Sequence, residues 1–146
     1  MTLYNYKDKQ FVKTKSFPLP PRCRSGHESI ALGSNVIYIS YFEKSCIYIS
    51  SMDGRLLGKH VRRENGGAGE LLFPRAAATD EDDNLLLCDG PNQRLQVMTL
   101  DGEWHTVRID KKMIGRPRDA VVDVDNVYVL CALTDTTRAI YHYKIA

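Results

Sequence analysis

Side chains able to do chemistry are few in this chain, and they are widely spread. Its four histidines are His27, His60, His105 and His142, and its four cysteines are Cys23, Cys46, Cys88 and Cys131. Successive cysteines stand 23, 42 and 43 residues apart and no Cys-x-x-Cys pair occurs. Clustered zinc chemistry needs closely spaced ligand pairs, so spacing excludes it. The acidic run Asp80-Glu81-Asp82-Asp83-Asn84 lacks the glycine and the closing glutamate of a calcium loop, and reads as a turn kept soluble by its charges. Gly66-Gly67-Ala68-Gly69 has no following Lys-Ser/Thr, which makes it a crossover rather than a phosphate loop. What remains is cationic: arginines and lysines, placed by a repeat.

The 146 residues are 43% hydrophobic and 26% charged, with a formal charge of +2. That is the composition of one folded domain, not of a disordered chain. The longest uncharged apolar runs, such as 36–39 and 85–88, are far too short to span a membrane. Residues Tyr4, Asn5, Lys7 and Asp8 interrupt any secretory signal. The expectation is a cytoplasmic protein with reduced thiols and no membrane partner.

Elements that position these residues emerge from self-alignment. Shifting the chain by 48 residues sets Asp53-Gly54 under Asp101-Gly102, Ile47 under Leu95, Ile49 under Val97 and Leu56 under Trp104. Each copy alternates apolar and polar residues, turns at an Asp-Gly, and opens a second strand, which is a hairpin signal. The other half of the repeat also recurs. Residues 73–80 precede a strand at 85–88, 115–123 precede one at 127–130, and 26–32 precede one at 36–39. Four short strands at a period of about 40–45 residues are the pattern of β-propeller blades.

One copy is sharp enough to carry a resemblance. Gly69-Glu70-Leu71-Leu72-Phe73-Pro74-Arg75, Asp80, Asn84-Leu85-Leu86-Leu87-Cys88-Asp89, Asn92-Gln93-Arg94-Leu95-Gln96-Val97 and Asp101-Gly102-Glu103-Trp104 together resemble one NHL repeat. Asn92-Gln93-Arg94-Leu95 departs from the Asn-His-Leu signature at the histidine. In the flanking copies Ser40 and Ser45 stand where Asp89 and Arg94 stand, and Cys131 stands where Asp89 would be. The closing Ile140-Tyr141-His142-Tyr143-Lys144 is similar to the last strand of NHL propellers in tripartite-motif (TRIM) proteins. The resemblance implies an all-β, NHL-type β-propeller that works as a non-enzymatic recognition module. Some TRIM-type NHL domains bind single-stranded or stem-loop RNA and others bind protein partners. Any ubiquitin-ligase activity would need a RING domain, whose paired Cys/His ligands this chain lacks.

Counted from the channel outward as a to d, the expected strands are c and d at 3–6 and 11–15, two full sets, then a, b and c across 119–143. The single domain 1–146 thus divides into a half-blade at 1–18, blades at 26–60 and 69–109, and a partial blade at 115–146. About three four-stranded blades cannot close a ring. The expectation is a homo-oligomer, a head-to-tail dimer closing a six-bladed ring. A chain that is half of a longer protein is the alternative.

The connections expected on the top face hold ten basic residues, including Lys59, against Glu64, Glu70 and Asp110, while the bottom turns are acidic. Such polarity attracts phosphate backbones or acidic protein segments. The candidate ligand-binding residues are Arg22, Arg24, His27, Arg62, Arg63, Arg75, Lys111, Lys112, Arg116 and Arg118. Tyr41 and Phe42 fall at a neighbouring turn, as packing residues or as a stacking platform. Asp89 and Arg94 form the expected structural pair. Of the histidines only His27 falls near the axis, so no catalytic residue, metal or cofactor is expected. A self-assembling propeller that binds a protein without RNA is the alternative function, and a metal-dependent hydrolase or lyase a remote one.

Overall fold

The structure, a computed structural model, describes residues 2–7, 10–16, 18, 28–61, 67–107 and 115–145. Among them are thirteen strands in four antiparallel sheets. A two-stranded sheet pairs β1 (Thr2–Lys7) with β2 (Gln10–Ser16). A four-stranded sheet follows, in the order β3 (Glu28–Leu32), β4 (Val36–Tyr41), β5 (Cys46–Ser51) and β6 (Leu56–Val61). A second one repeats it with β7 (Arg75–Thr79), β8 (Leu85–Asp89), β9 (Arg94–Met98) and β10 (Trp104–Thr106). The last sheet has three strands, β11 (Arg116–Asp123), β12 (Asn126–Ala132) and β13 (Arg138–Lys144). Within each sheet every strand pairs with its neighbour in sequence, a meander.

The 48-residue shift is visible in the backbone. Gly54 N donates to Ser51 O and Gly102 N to Thr99 O, both at 2.9 Å, and both glycines have φ near +90°. A glycine in the left-handed region after a tight turn is the three-residue hairpin solution, which twists the two strands without a Cβ clash.

Sheets stack through two clusters. Between the four-stranded sheets lie Val36, Tyr38, Ile47, Ile49, Leu71, Leu85, Leu87 and Met98, flanked by Trp104. Between the second of them and the three-stranded sheet lie Leu86, Cys88, Leu95, Ala120, Val129 and Cys131. Strand β8 therefore sends Leu85 and Leu87 one way and Leu86 and Cys88 the other, which is why its sequence is an unbroken apolar run. Cys46, Cys88 and Cys131 are buried thiols, and Cys23 lies outside the described residues. Burial, followed by the Asp119 carboxylate, pushes the Cys88 thiol far up, and burial also raises Cys131. No helix among the described residues is long and apolar enough to cross a membrane.

One correspondence changes in three dimensions. The residues that close the β4–β5 hairpin are Tyr41 and Cys46, as Asp89 and Arg94 close β8–β9. Tyr41 and Cys46, not Ser40 and Ser45, thus occupy the places of the ion pair. The β3–β4 turn is one residue shorter than the β7–β8 turn, and one residue turns a side chain to the opposite face. Tyr41 is buried in β4 with its ring edge-on to Tyr48, so it packs and does not offer a platform.

The acidic run ties two sheets together. Asp83 accepts the Tyr38 hydroxyl on its carbonyl at 2.7 Å and the Ser34 amide on its carboxylate, while Thr79 Oγ1 donates to Leu32 O at 2.7 Å. Burial, then the Asp83 and Asp80 carboxylates, push the Tyr38 phenol up to about 12. A raised phenol favours the folded state below its unfolded value near 10, and that contribution drains away as pH climbs from about 10 to 12. Tyr38→Phe is expected to be less stable than the parent at neutral pH by about 0.5–1.5 kcal/mol. The gap should narrow across that alkaline window in urea denaturation series, and a gap independent of pH would contradict the assignment.

Candidate anion-binding site

Four local features meet at one end of the stacked sheets. Strands β7 and β11 begin there, with Arg75 and with Arg116-Pro117-Arg118, and strands β4 and β8 end there, followed by Phe42 and by Gly90-Pro91. Together with Phe73 these residues line a cavity of about 330 Å³. Gly90 is needed for the close approach: a Cβ there would come within 3.0 Å of the Pro117 carbonyl oxygen. The bulge of β11 between Pro117 and Asp119 sets Arg118 apart from the regular pairing.

Aromatic and cationic groups are ordered within the cavity. The rings of Phe42 and Phe73 stack with centroids 4.7 Å apart and planes 24° apart. Arg75 Cζ lies over the Phe42 ring, 5.0 Å from its centroid. A guanidinium over a ring face is attracted by the ring quadrupole and keeps N–H donors for a carboxylate or phosphate. Arg75 Nε is buried and has no hydrogen-bond partner among the described residues. An unpaired buried donor costs about 1–3 kcal/mol, more if charged, so the site carries an unused capacity for an acceptor. Among the described residues the ion pairs are Arg94–Asp89 and His105–Glu103, and neither involves the three cavity arginines.

Phe73 holds its ring in place at a cost. Its φ of +53° is unusual for a bulky residue. Replacing it with glycine removes about 1–2 kcal/mol of backbone strain and forfeits a ring stack worth about 0.5–1.5 kcal/mol. Phe73→Gly is therefore expected to leave unfolding stability within about 1 kcal/mol of the parent while dismantling the aromatic wall. A urea titration measures this, and a loss of several kcal/mol would mean the ring supports the fold.

Of the ten basic residues singled out from the sequence, Arg75, Arg116 and Arg118 come together here. Arg22, Arg24, His27, Arg62, Arg63, Lys111 and Lys112 lie outside the described residues. Asp89 and Arg94 stand apart from the cavity as an ion pair at 2.9 Å, with the Asp89 side chain fully buried. Sequence reasoning missed Phe73, Gly90, Pro91 and Pro117. The Gly-Pro turn was readable as a turn, but nothing local shows that it faces the start of the next sheet.

The described histidines are elsewhere. His60 and His105 lie on β6 and β10, the outermost strands of their sheets, with His60 edge-on to Trp104. His142, on β13, bonds Asn126 at 2.8 Å and stacks on Tyr128. No group of three His, Cys, Asp or Glu side chains among the described residues is placed to hold a metal ion. Asp80 is engaged by the Asp82 and Asn84 amides and by Asn84 Nδ2, closing its own turn.

No protein-family model matches the chain, and no curated protein matches it. Solved structures do match. A catalytically inactive histidine-to-alanine variant of virginiamycin B lyase from Staphylococcus aureus, with quinupristin, aligns at TM-score 0.58 and 18% identity over 94% of this chain and 46% of that one. Selenomethionine-substituted virginiamycin B lyase from the same organism aligns at 0.59 and 14% identity over 96% of this chain and 48% of that one. A streptogramin B lyase structure aligns at 0.57 and 18% identity, over 99% and 48% respectively. The chain spans about half the length of the structures it resembles. At these identities the likeness establishes a β-propeller type of fold and no activity.

Proposed function

We propose that this chain is a non-enzymatic recognition module, an NHL-type propeller segment that binds a polyanionic partner on its basic face. The observation that carries the reading is the meeting of Arg75, Arg116 and Arg118 in one cavity, where the described residues place no acidic side chain in the lining and no acceptor on the buried Arg75 Nε. Single-stranded or stem-loop RNA supplies phosphates and unstacked bases for such a face, and an acidic protein segment supplies carboxylates. A cytoplasmic location belongs to the same proposal.

Ring closure is also part of it. About three blades per chain, paired head to tail with a second copy, would make six. Two observations support this: each lyase is matched over about half its length, and the far face of the last sheet exposes Val121, Tyr128, Leu130 and Ile140. Light scattering at about twice the 16.6 kDa chain mass would agree with closure, and a 16.6 kDa species would defeat it.

The function is tested by titrating fluorescein-labelled single-stranded RNA with the protein from 50 to 200 mM salt. Binding that weakens steeply with salt agrees with phosphate recognition. Binding to an acidic peptide with no RNA affinity selects the protein arm. No affinity for either sinks the reading.

A further inference from the structure

We propose that the cavity framed by Arg75, Arg116 and Arg118 is built for a phosphate monoester carried directly on an aromatic ring, the chemistry of a phosphorylated tyrosine side chain in an extended peptide. The inference rests on the recognition reading and names the partner of the same site.

Charge matching is the first argument. Three arginines line one small space, and none of them has an acidic partner among the described residues. A phosphodiester or a carboxylate brings a single negative charge, whereas a phosphate monoester brings about −1.5 to −2 and three strong acceptor oxygens. Only the monoester comes near to matching the cations present. Arginine is also the residue whose donor fork fits phosphate geometry, and Arg75 Cζ is held over the Phe42 ring at the cavity wall.

Shape is the second argument. At about 330 Å³ the cavity is at the small end of ligand pockets, large enough for one side chain and too small for a helix. Its remaining walls are Phe42, Phe73, Pro91 and Pro117, flat apolar surfaces that suit a phenyl ring rather than a polar linker. Phe73 is held against Phe42 by a strained backbone, so this wall exists before any ligand arrives.

The test is calorimetry at 150 mM salt with phenyl phosphate, inorganic phosphate, benzoate and a peptide carrying one phosphotyrosine. Phenyl phosphate is expected to bind at least about tenfold tighter than inorganic phosphate or benzoate, and the peptide tighter still. Arg75→Ala and Arg118→Ala should each weaken it at least about tenfold, and Arg75→Lys should not restore it. Arg116→Ala, at an exposed position, keeps the test open if a more enclosed variant fails to fold. Phe73→Gly should weaken phenyl phosphate and leave inorganic phosphate unchanged, while Arg55→Ala, in an exposed turn at the β5–β6 hairpin, should change neither. Equal affinity for phenyl and inorganic phosphate, or binding that survives loss of both Arg75 and Arg118, overturns the proposal. So does displacement of phenyl phosphate by RNA that lacks a terminal phosphate, since the cavity would then belong to nucleic acid. RNA binding with no response to phenyl phosphate overturns this inference and leaves the recognition reading standing, and silence toward every anion removes both.

Discussion

Asp89→Ala should lower the unfolding free energy by about 3–5 kcal/mol, the cost of leaving one member of a buried ion pair without its partner. The Asp89 carboxylate is fully buried and accepts from Arg94 Nε at 2.9 Å, Gln96 Nε2 at 3.0 Å and Asn92 Nδ2 at 2.9 Å. Its partners reach onward. The Arg94 guanidinium donates to the Gly67 and Glu70 carbonyls, and Gln96 both donates to Glu70 O and accepts from the Gly69 amide. One carboxylate thus holds the crossover at 67–70 against the turn that follows β8. Removing it leaves Arg94 Nε and one N–H of the buried Gln96 amide without their acceptor in a low-dielectric setting, where such groups are most costly. Against a typical total of about 5–15 kcal/mol the loss is severe, and Asp89→Asn should fall between parent and alanine variant. Urea denaturation of the three proteins decides the matter. A loss below about 1 kcal/mol would mean the network contributes geometry and little stability.

The second large effect concerns binding. Should the cavity take single-stranded RNA in place of an aromatic phosphate monoester, the double variant Arg75→Ala/Arg118→Ala should lose about a hundredfold in RNA affinity at 50 mM salt, because two charge-assisted contacts are removed. The salt dependence should change in a fixed way as well. Each phosphate contact to a single strand contributes about 0.7 to the log–log slope, so losing two should flatten it by about 1.4. Anisotropy titrations at four salt concentrations measure both quantities together. An unchanged slope with weaker binding would point to a lost shape contact rather than lost phosphates. No change in either would place the contact surface away from this cavity.

Much of the architecture was legible because it repeats. Strand β8 reads as Leu-Leu-Leu-Cys-Asp since both its faces are buried, and the Asp-Gly turns at 53–54 and 101–102 announce themselves in a single line of sequence. Arg75 and Arg118 lie in two copies of one repeated segment, 73–80 and 115–123, which the structure sets at the starts of successive sheets. Phe73 could not be. Its backbone is left-handed, and no local preference of phenylalanine hints at that conformation. The slip from Ser40 to Tyr41 has a similar origin. A turn shortened by one residue shifts the phase of the following strand, and alternation alone cannot say which of two neighbours faces inward. The partners of Asp89 beyond Arg94 were hidden too, because Asn92 and Gln96 read as an ordinary turn residue and an ordinary strand residue until the strand register brings them to one carboxylate.

The three buried thiols make the molecule its own recorder of internal breathing. A buried thiol does not meet an alkylating reagent until the layer enclosing it parts. Cys88 and Cys131 sit in the layer between the second four-stranded sheet and the three-stranded sheet, whereas Cys46 sits with Ile37, Ile39, Tyr41 and Tyr48 on the first. Pulse labelling followed by mass spectrometry would therefore clock the two layers separately in one unmodified protein. Equal labelling rates would describe a stack that comes apart as a unit. Unequal rates would describe leaves that turn one at a time, with the arginine-lined cavity at the end where they meet.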